Sequence, residues 1–319
     1  QKELTKKQQN TYMVLMDYLR RQKNLSMYPY YERILGKTSG QQAQILLTLS
    51  EYRLKNEKDI KSYFQLLKGL DGYFDSLIEY SKEQVKRNLF LSDQSLKEVL
   101  QQIQNVIKQK ENNMLVATFN LRIADIKGIN AAQKKKYCRE NKKLIGTKVL
   151  PAYEKLYSHL QALNGNGKNE NGLYYYKNGK EYYKVLVAQK TGSDKTIEEM
   201  IEISDRSIEK CLRKLIKLQK KYPNIINEYR NHKKNIKIVQ NPQNILNKLR
   251  QKMVKYYPKA PKVSCKIKYV HKTMEEYTSP AFYMVPEIDS YKENVIYINK
   301  AQTAELYPTL AHEGYPGHL

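Results

Sequence analysis

Apolar residues that recur every three or four positions are the feature of this sequence that most constrains its fold. One such stripe begins after Asp59 and consists of Ile60, Tyr63, Phe64, Leu67, Leu70, Tyr73, Phe74, Leu77 and Ile78. This spacing places the side chains on one face of an α-helix, and that face must be covered by other elements. Similar stripes recur along most of the chain, so the sequence predicts a mainly α, multi-helix fold.

Three further stripes follow sequence signals for a helix start. Ser95 with Glu98 has the spacing of a capping box, and Thr196 with Glu199 repeats it. Asn241-Pro242 is typical of an N-cap and first helical position. We expect the apolar residues after these signals to face the core: Leu96, Val99, Leu100, Ile103, Val106 and Ile107; Ile197, Met200, Ile201, Ile208, Leu212, Leu215 and Ile216; Ile245, Leu249 and Met253.

The helical pattern is first broken between residues 164 and 180, which are rich in Gly and Asn. The tyrosine-rich run 174–183 has Asn178-Gly179 near its centre. That pair favours a β-hairpin with a two-residue turn, and an irregular loop is the alternative.

A second break, between Val263 and Asn299, shows strand features. Residues 262–270 alternate in polarity, residues 294–299 have strand composition, and residues 281–285 lie between Pro280 and Pro286. The sequence thus predicts a small β-sheet or hairpin immediately before the C-terminal His-Glu segment.

The length of 319 residues suits one large domain or two small ones. We expect one mostly helical unit, with a helical part over residues 1–160 and a mixed part over residues 161–319. Its 40% apolar and 28% charged residues are typical of a globular protein, and no apolar run is long enough for a membrane span. The cysteines Cys138, Cys211 and Cys265 are too few and too far apart for a disulfide framework.

A net charge of +25 raises the question of nucleic-acid binding. The lysines are spread over the whole chain, and acidic residues lie among them in most helices. The densest basic runs, Lys134-Lys135-Lys136 and Lys233-Lys234, are short. We therefore expect no nucleic-acid partner, and attraction to an anionic surface or to acidic peptides remains an alternative.

The chemistry-bearing motif is the final segment, His312-Glu313-Gly314-Tyr315-Pro316-Gly317-His318-Leu319. Zinc hydrolases place two histidines four residues apart on one helix, whereas His318 follows His312 by six. At roughly 100° per residue, a regular helix would point these rings in different directions. If Pro316 and Gly317 bulge out of the turn, the rings can converge on one metal. The competing interpretation is an ordinary helix C-terminus marked by Pro and Gly.

Three longer runs extend this pattern: Ser279-Pro280-Ala281-Phe282-Tyr283-Met284-Val285-Pro286-Glu287-Ile288-Asp289, Tyr297-Ile298-Asn299, and residues 310–318. Together they resemble the bacterial family called domain of unknown function 885, whose hallmark is His-Glu-x-x-Pro-Gly-His. Looser matches in residues 49–63, 149–153 and 179–183 extend the resemblance over most of the chain. It implies a mostly helical zinc metallopeptidase that is secreted or a lipoprotein.

By this resemblance, His312 and His318 are metal ligands and Glu313 is the general base. Two features depart from the family pattern. Leu319 stands where many relatives carry a further histidine, and the acidic third ligand is expected downstream of residue 319. A catalytic zinc needs three protein ligands, so residues 1–319 would form the N-terminal portion of the enzyme.

Residues upstream of the motif provide candidates for the remaining roles. Tyr283, Asp289 and Asn299 are candidates for substrate binding, and the Tyr283 phenol could also stabilise an oxyanion. Candidates for an in-chain third ligand are Asp289, Glu287, Glu293 and His271.

The leading hypothesis is therefore a zinc peptidase that hydrolyses peptides. It would act outside the cell or at its surface, with a signal peptide or lipid anchor upstream of Gln1. The main alternative is a catalytically silent, peptide-binding surface protein without an assembled metal site. A binder of polyanions, driven by net charge, is a third hypothesis.

Overall fold

The computed structural model describes residues 4–37, 40–235, 241–270, 272, 275, 278–286, 291–302 and 306–319. Contacts divide the chain into two compact units, Gln1–Arg213 (unit 1) and Lys214–Leu319 (unit 2). The division predicted from the sequence lies near residue 160, at the Gly- and Asn-rich stretch, whereas the contacts group that stretch with the helices before it.

The regular secondary structure in the described part of unit 1 is entirely helical. Its helices are α1 (Lys6–Leu25), α2 (Gln41–Ser50), α3 (Glu57–Lys86), α4 (Asp93–Lys108), α5 (Met114–Ala124), α6 (Ala131–Leu144), α7 (Leu150–Ala162), α8 (Gly179–Thr191) and α9 (Ile197–Lys221), the last of which continues into unit 2. A π-helical turn over Ile145–Val149 joins α6 to α7. The predicted mainly α fold is confirmed.

The core of unit 1 forms around α3, because its apolar stripe is covered by α6 and α7. Seven of the nine predicted stripe residues that follow Asp59 are nearly inaccessible: Ile60, Tyr63, Phe64, Leu67, Leu70, Phe74 and Ile78. Phe74 packs edge-on against Tyr153 of α7, with ring centroids 4.7 Å apart. This part of the fold follows directly from the sequence pattern.

Two local predictions in unit 1 are wrong. Helix α4 is capped by Ser92, whose hydroxyl accepts the Ser95 N–H, so it begins one turn before the predicted box. Asn178-Gly179 does not form a hairpin turn; it opens α8. Asn178 has a positive φ of 55°, which Asn tolerates, and a Cβ at position 179 would lie 1.7 Å from the Leu173 carbonyl oxygen. The close approach of backbone explains the glycine without a hairpin.

Helix α9 starts as predicted but is packed differently from the prediction. The Thr196 N–H donates to the Glu199 carboxylate and the Glu199 N–H donates to the Thr196 hydroxyl, which completes the capping box. Its apolar stripe was expected to face the core, yet Ile208 and Leu212 are 56% and 52% exposed. No residue of α9 is buried among the described residues. Periodicity therefore identified the helix correctly and its burial incorrectly.

Unit 2 adds α10 (Ile225–Asn235), α11 (Pro242–Met253), β1 (Ser264–Tyr269), β2 (Ala281–Met284), β3 (Glu293–Ile298) and α12 (Leu306–Glu313). Asn241 caps α11 and Pro242 occupies its first turn, as predicted. The strands form one sheet in the order β1-β3-β2, with β3 parallel to β1 and antiparallel to β2. The predicted small sheet before the His-Glu helix is confirmed.

The core of unit 2 lies between the sheet, α11 and α12, and it fixes the position of α12. Leu310 and Tyr315 are buried with Leu246 of α11 and Ile296 of β3. Gly314 lies at the closest approach, since a Cβ there would be 2.3 Å from the Leu246 side chain. One face of the His-Glu segment therefore packs into the core, and the other face is available to bind or react.

Candidate functional site

The candidate site is built on a wide turn that follows α12. The Gly317 N–H donates to the Ala311 carbonyl and the His318 N–H donates to the His312 carbonyl, both at 3.0 Å. These bonds span six residues instead of the four of an α-helix. A Cβ at Gly317 would lie 1.7 Å from the His312 oxygen, so the turn requires glycine there. The Tyr315–Pro316 peptide bond is cis.

This turn brings the two histidines together. The rings of His312 and His318 have centroids 5.1 Å apart and are nearly perpendicular, at 89°. Their side chains are 73% and 51% exposed. A bulge at Pro316 and Gly317 predicts that the two rings lie close together, and they do. A regular helix would have pointed them in different directions.

The spacing of the rings fits one tetrahedral metal ion. With Zn–N distances of about 2.1 Å and ring nitrogens about 1.2 Å from the ring centres, two rings at the tetrahedral angle would have centroids about 5.4 Å apart. The observed separation of 5.1 Å is close to this value. Imidazole nitrogens are also the donors that zinc prefers together with carboxylate. His312 and His318 are therefore suited to hold zinc as two of its ligands.

Glu313 lies beneath the histidine pair. Its carboxylate oxygens Oε1 and Oε2 are each 4.0 Å from a histidine Nε2, Oε1 from that of His312 and Oε2 from that of His318. The Glu313 side chain is only 13% exposed. Oε2 accepts a 2.7 Å hydrogen bond from the backbone N–H of Tyr283 in β2. The carboxylate is thus held in one orientation beside both rings.

Tyr283 contacts the site with its ring as well as with its backbone. The phenol ring stacks on the His318 imidazole, with centroids 5.4 Å apart and an interplanar angle of 14°. Its hydroxyl donates to the Asn294 Oδ1 at 2.6 Å. Burial raises the pKa of Tyr283, so the hydroxyl stays protonated and continues to donate. In this arrangement the phenol points to Asn294, and the ring face contacts the histidine.

The other predicted site residues are placed apart from these contacts. Asn299 is fully buried, and its amide donates to Glu275 and Thr278 and accepts the Ala301 N–H. Its hydrogen bonds hold the segment before β2, and none reaches the histidines or Glu313. Asp289, Glu287 and His271 lie outside the described residues.

A third metal ligand is not found in the described part of the chain. Glu293 is exposed at the start of β3. Among the residues with described positions, no group of three His, Cys, Asp or Glu side chains is arranged to hold a metal ion. The histidine pair therefore supplies two donors, and the third donor stays a prediction.

Asn294 and the backbone N–H of Tyr283 are site-supporting groups that sequence reasoning missed. Strand composition predicts only that Asn294 belongs to a strand; because Asn is depleted in strands, its place directly before the apolar run of β3 is the signal that could have indicated a buried hydrogen-bond network. No sequence signal identifies a backbone N–H that contacts a carboxylate 30 residues later.

Fold and site together define a mainly α protein with a small mixed sheet and an exposed histidine pair above a glutamate. The sequence matches over residues 1–319 the family model of bacterial proteins of unknown function (DUF885), and the chain belongs to this family. No curated protein matches the sequence.

A solved protein of low sequence identity has a similar fold. It is described as "the putative lipoprotein from Colwellia psychrerythraea", and its TM-score is 0.76 at 16% identity. The match covers 89% of this chain and 53% of that chain, so the present chain spans about half the length of its solved relative.

Proposed function

We propose that this protein is a zinc-dependent peptidase in which His312 and His318 bind the metal and Glu313 acts as general base. The observation that carries this proposal is the six-residue turn that places both imidazoles beside one partly buried carboxylate. An ordinary helix C-terminus would give no reason for the two rings to converge. The third ligand, an acidic residue, is proposed to come from the full-length protein outside residues 1–319.

The chemistry assigned to Glu313 follows from its hydrogen bonding. Zinc held by the two imidazoles would supply Lewis acidity, which polarises a carbonyl and acidifies water. Because Oε2 accepts the Tyr283 N–H, Oε1 remains to take a proton from the attacking water and to pass it to the leaving amine. The low exposure of Glu313 keeps this transfer away from bulk solvent.

The outer edge of β2 is the proposed binding surface for the peptide. The Asn299 N–H donates to the Pro280 carbonyl, so alternate residues from 280 onward direct their backbone groups towards β3. Ala281 and Tyr283 direct theirs to the opposite edge: the Ala281 carbonyl accepts the Ser279 hydroxyl and the Tyr283 N–H reaches Glu313. An extended peptide added to this edge would pair with the other two outward groups, the Ala281 N–H and the Tyr283 carbonyl, and would lie beside the histidine pair.

The proposed location is the cell surface or the exterior. The similar solved protein is described as a "putative lipoprotein", which supports a surface-anchored or secreted location for this protein. Among the described helices, none is long and apolar enough to cross a membrane.

The alternative function is peptide binding without catalysis. The supporting observation is that the histidine pair supplies two donors, whereas a catalytic zinc site has three protein ligands. The two proposals differ in two properties: a binder would retain peptide affinity after treatment with a chelator, and it would release no cleavage products.

Glu313→Gln in the full-length protein tests the proposed function. The amide is isosteric but cannot act as a base, so zinc should remain bound while cleavage of a mixed peptide library falls by about 10²–10⁴-fold. Glu228→Gln, at an exposed position of α10, is the matched control and should cleave like wild type. Retained cleavage in Glu313→Gln would refute the assigned base, and wild-type protein that binds no zinc would refute the peptidase.

A further inference from the structure

We propose that Tyr283, anchored by the buried Asn294, is a positioning residue that fixes the His318 imidazole for metal binding. This inference rests on the proposed function, because it concerns the orientation of one of the proposed ligands. It assigns the Tyr283 ring a role different from oxyanion stabilisation, since the hydroxyl is already committed to Asn294.

The contacts of the His318 ring within its own segment are long: Glu313 Oε2 lies 4.0 Å from Nε2, and the His312 ring centroid lies 5.1 Å away, edge-on. His318 follows the end of α12, its side chain is 51% exposed, and its backbone N–H is fixed by the turn. A side chain with that exposure can change rotamer freely unless a neighbour restricts it. The Tyr283 ring lies almost parallel to the imidazole in an offset stack, with centroids 5.4 Å apart, and so restricts its rotation from outside the segment.

Tyr283 is in turn held in place by a buried hydrogen-bond network. Asn294 is 3% exposed and accepts the Tyr283 hydroxyl through Oδ1. Its Nδ2 donates to the carbonyls of Ser264, at the start of β1, and Tyr291. A buried amide with all these partners satisfied has one favourable orientation. The network therefore connects β1 and β3 to the Tyr283 ring, which stacks on His318.

Such support is the usual requirement for a metal-binding histidine. Residues that orient a ligand without touching the metal typically contribute 10–100-fold to metal affinity. Here the supporting contact is a ring face, so the size and flatness of the side chain at position 283 should matter more than its hydroxyl.

Three variants of the full-length protein separate these contributions. Tyr283→Leu removes the ring but keeps the backbone N–H that contacts Glu313. Tyr283→Phe keeps the ring and removes only the bond to Asn294. Phe282→Leu is the matched control, because Phe282 is the adjacent aromatic of the same strand and stacks on Tyr297, at 5.1 Å and 12°, instead of on a site residue.

Zinc affinity, measured by competition with a chelator, is the first readout. We expect about a 10–100-fold loss in Tyr283→Leu, a smaller loss in Tyr283→Phe, and wild-type affinity in Phe282→Leu. The second readout is the NMR spectrum of metal-free protein, with His318 assigned by comparison with His318→Asn. Ring-current shielding of the His318 ring protons by the aromatic ring at position 283 should persist in Tyr283→Phe and disappear in Tyr283→Leu.

The outcomes distinguish this inference from the proposed function. Wild-type protein that binds no zinc would refute the proposed function, and the NMR shifts would still test the stacking. Zinc binding by wild type with unchanged affinity in Tyr283→Leu would overturn the positioning role alone. Equal losses in Tyr283→Leu and Phe282→Leu would also overturn it, because they would indicate a general effect on the sheet.

Discussion

The core around α3 and the histidine site on α12 are assembled in opposite ways. Phe74 and Tyr63 of α3 are completely buried, whereas the side chains of His312 and His318 are 73% and 51% exposed. The first region depends on packed side chains, and the second depends on backbone hydrogen bonds and glycine contacts that bring exposed side chains together. Stability and chemistry should therefore be separable by mutation.

The largest loss of stability is expected from Phe74→Ala in the α3 core. Truncation of a fully buried aromatic side chain typically costs 3–5 kcal/mol, and the ring of Tyr153 at 4.7 Å would lose its partner. Denaturant unfolding measures the change. Leu66→Ala is the control on the same helix, because Leu66 is 48% exposed and its truncation should cost well under half as much. Equal costs would contradict the burial assigned to the two faces.

A second test of the α3 core uses alkaline pH. Burial raises the pKa of Tyr63 to about 12, despite the opposing effect of the nearby Arg122. An unfolded tyrosine ionises near pH 10, so Tyr63 should add no pH dependence to the free energy of unfolding below that pH. Its contribution should lower the free energy of unfolding by about 2–3 kcal/mol as the pH rises to 12.

Tyr63→Phe should remove this part of the alkaline loss, measured by denaturant unfolding at pH 8 and pH 12. Tyr174→Phe provides the comparison, since Tyr174 is 62% exposed. An alkaline loss that is the same in wild type and Tyr63→Phe would show that Tyr63 is not the group responsible.

Glycine substitutions test the supporting face of α12. Gly314→Ala would place a Cβ 2.3 Å from the Leu246 side chain and 2.7 Å from the Leu310 oxygen, and such overpacking typically costs 1–3 kcal/mol. Gly69→Ala in α3 is the control, because nothing lies within 4 Å of its added Cβ. It should stabilise the helix by roughly 0.5–1 kcal/mol. Effects of the same sign in unfolding experiments would contradict the close approach at Gly314.

The smallest effect on stability is expected at the site itself. His312→Ala and His318→Ala remove exposed side chains, so the free energy of unfolding without metal should change by no more than about 0.5 kcal/mol. Thermal unfolding in the presence of a chelator measures this change. A loss of several kcal/mol would show that the histidines are structural residues and would remove the contrast with the α3 core.

The sequence predicted best those features that depend on local periodicity. The stripe of α3, the capping box at Thr196 and the N-cap at Asn241 are all confirmed. Each depends on residues within one or two helical turns, which is the range over which a sequence pattern determines backbone structure. The small sheet before α12 also followed from strand composition.

The errors concern features that local sequence does not determine. The stripe of α9 has the pattern of a core-facing helix, yet burial depends on whether another element covers it. Asn178-Gly179 suits a hairpin turn, but the same left-handed conformation also permits a helix start. In both cases the local conformational preference is correct, and the packing or chain direction predicted around it is wrong.

The site was predictable in part for the same reason. Pro316 and Gly317 pointed to a bulged turn, because both residues disfavour a regular helix, and the histidine rings are adjacent. The contacts of Tyr283 with Glu313 and His318 join residues 30 and 35 positions apart, through a backbone N–H and a ring face. Only the packing of β2 beside α12 reveals them.

Zinc content of the full-length protein shows whether the histidine pair is a metal site. Metal analysis after dialysis should give one zinc ion per chain in wild type, and none in His312→Ala or His318→Ala, with the fold retained. His159→Ala, at an exposed position of α7, should keep its zinc. Wild-type protein without stoichiometric zinc, or variants that keep it, would contradict the assignment of this histidine pair as a metal site.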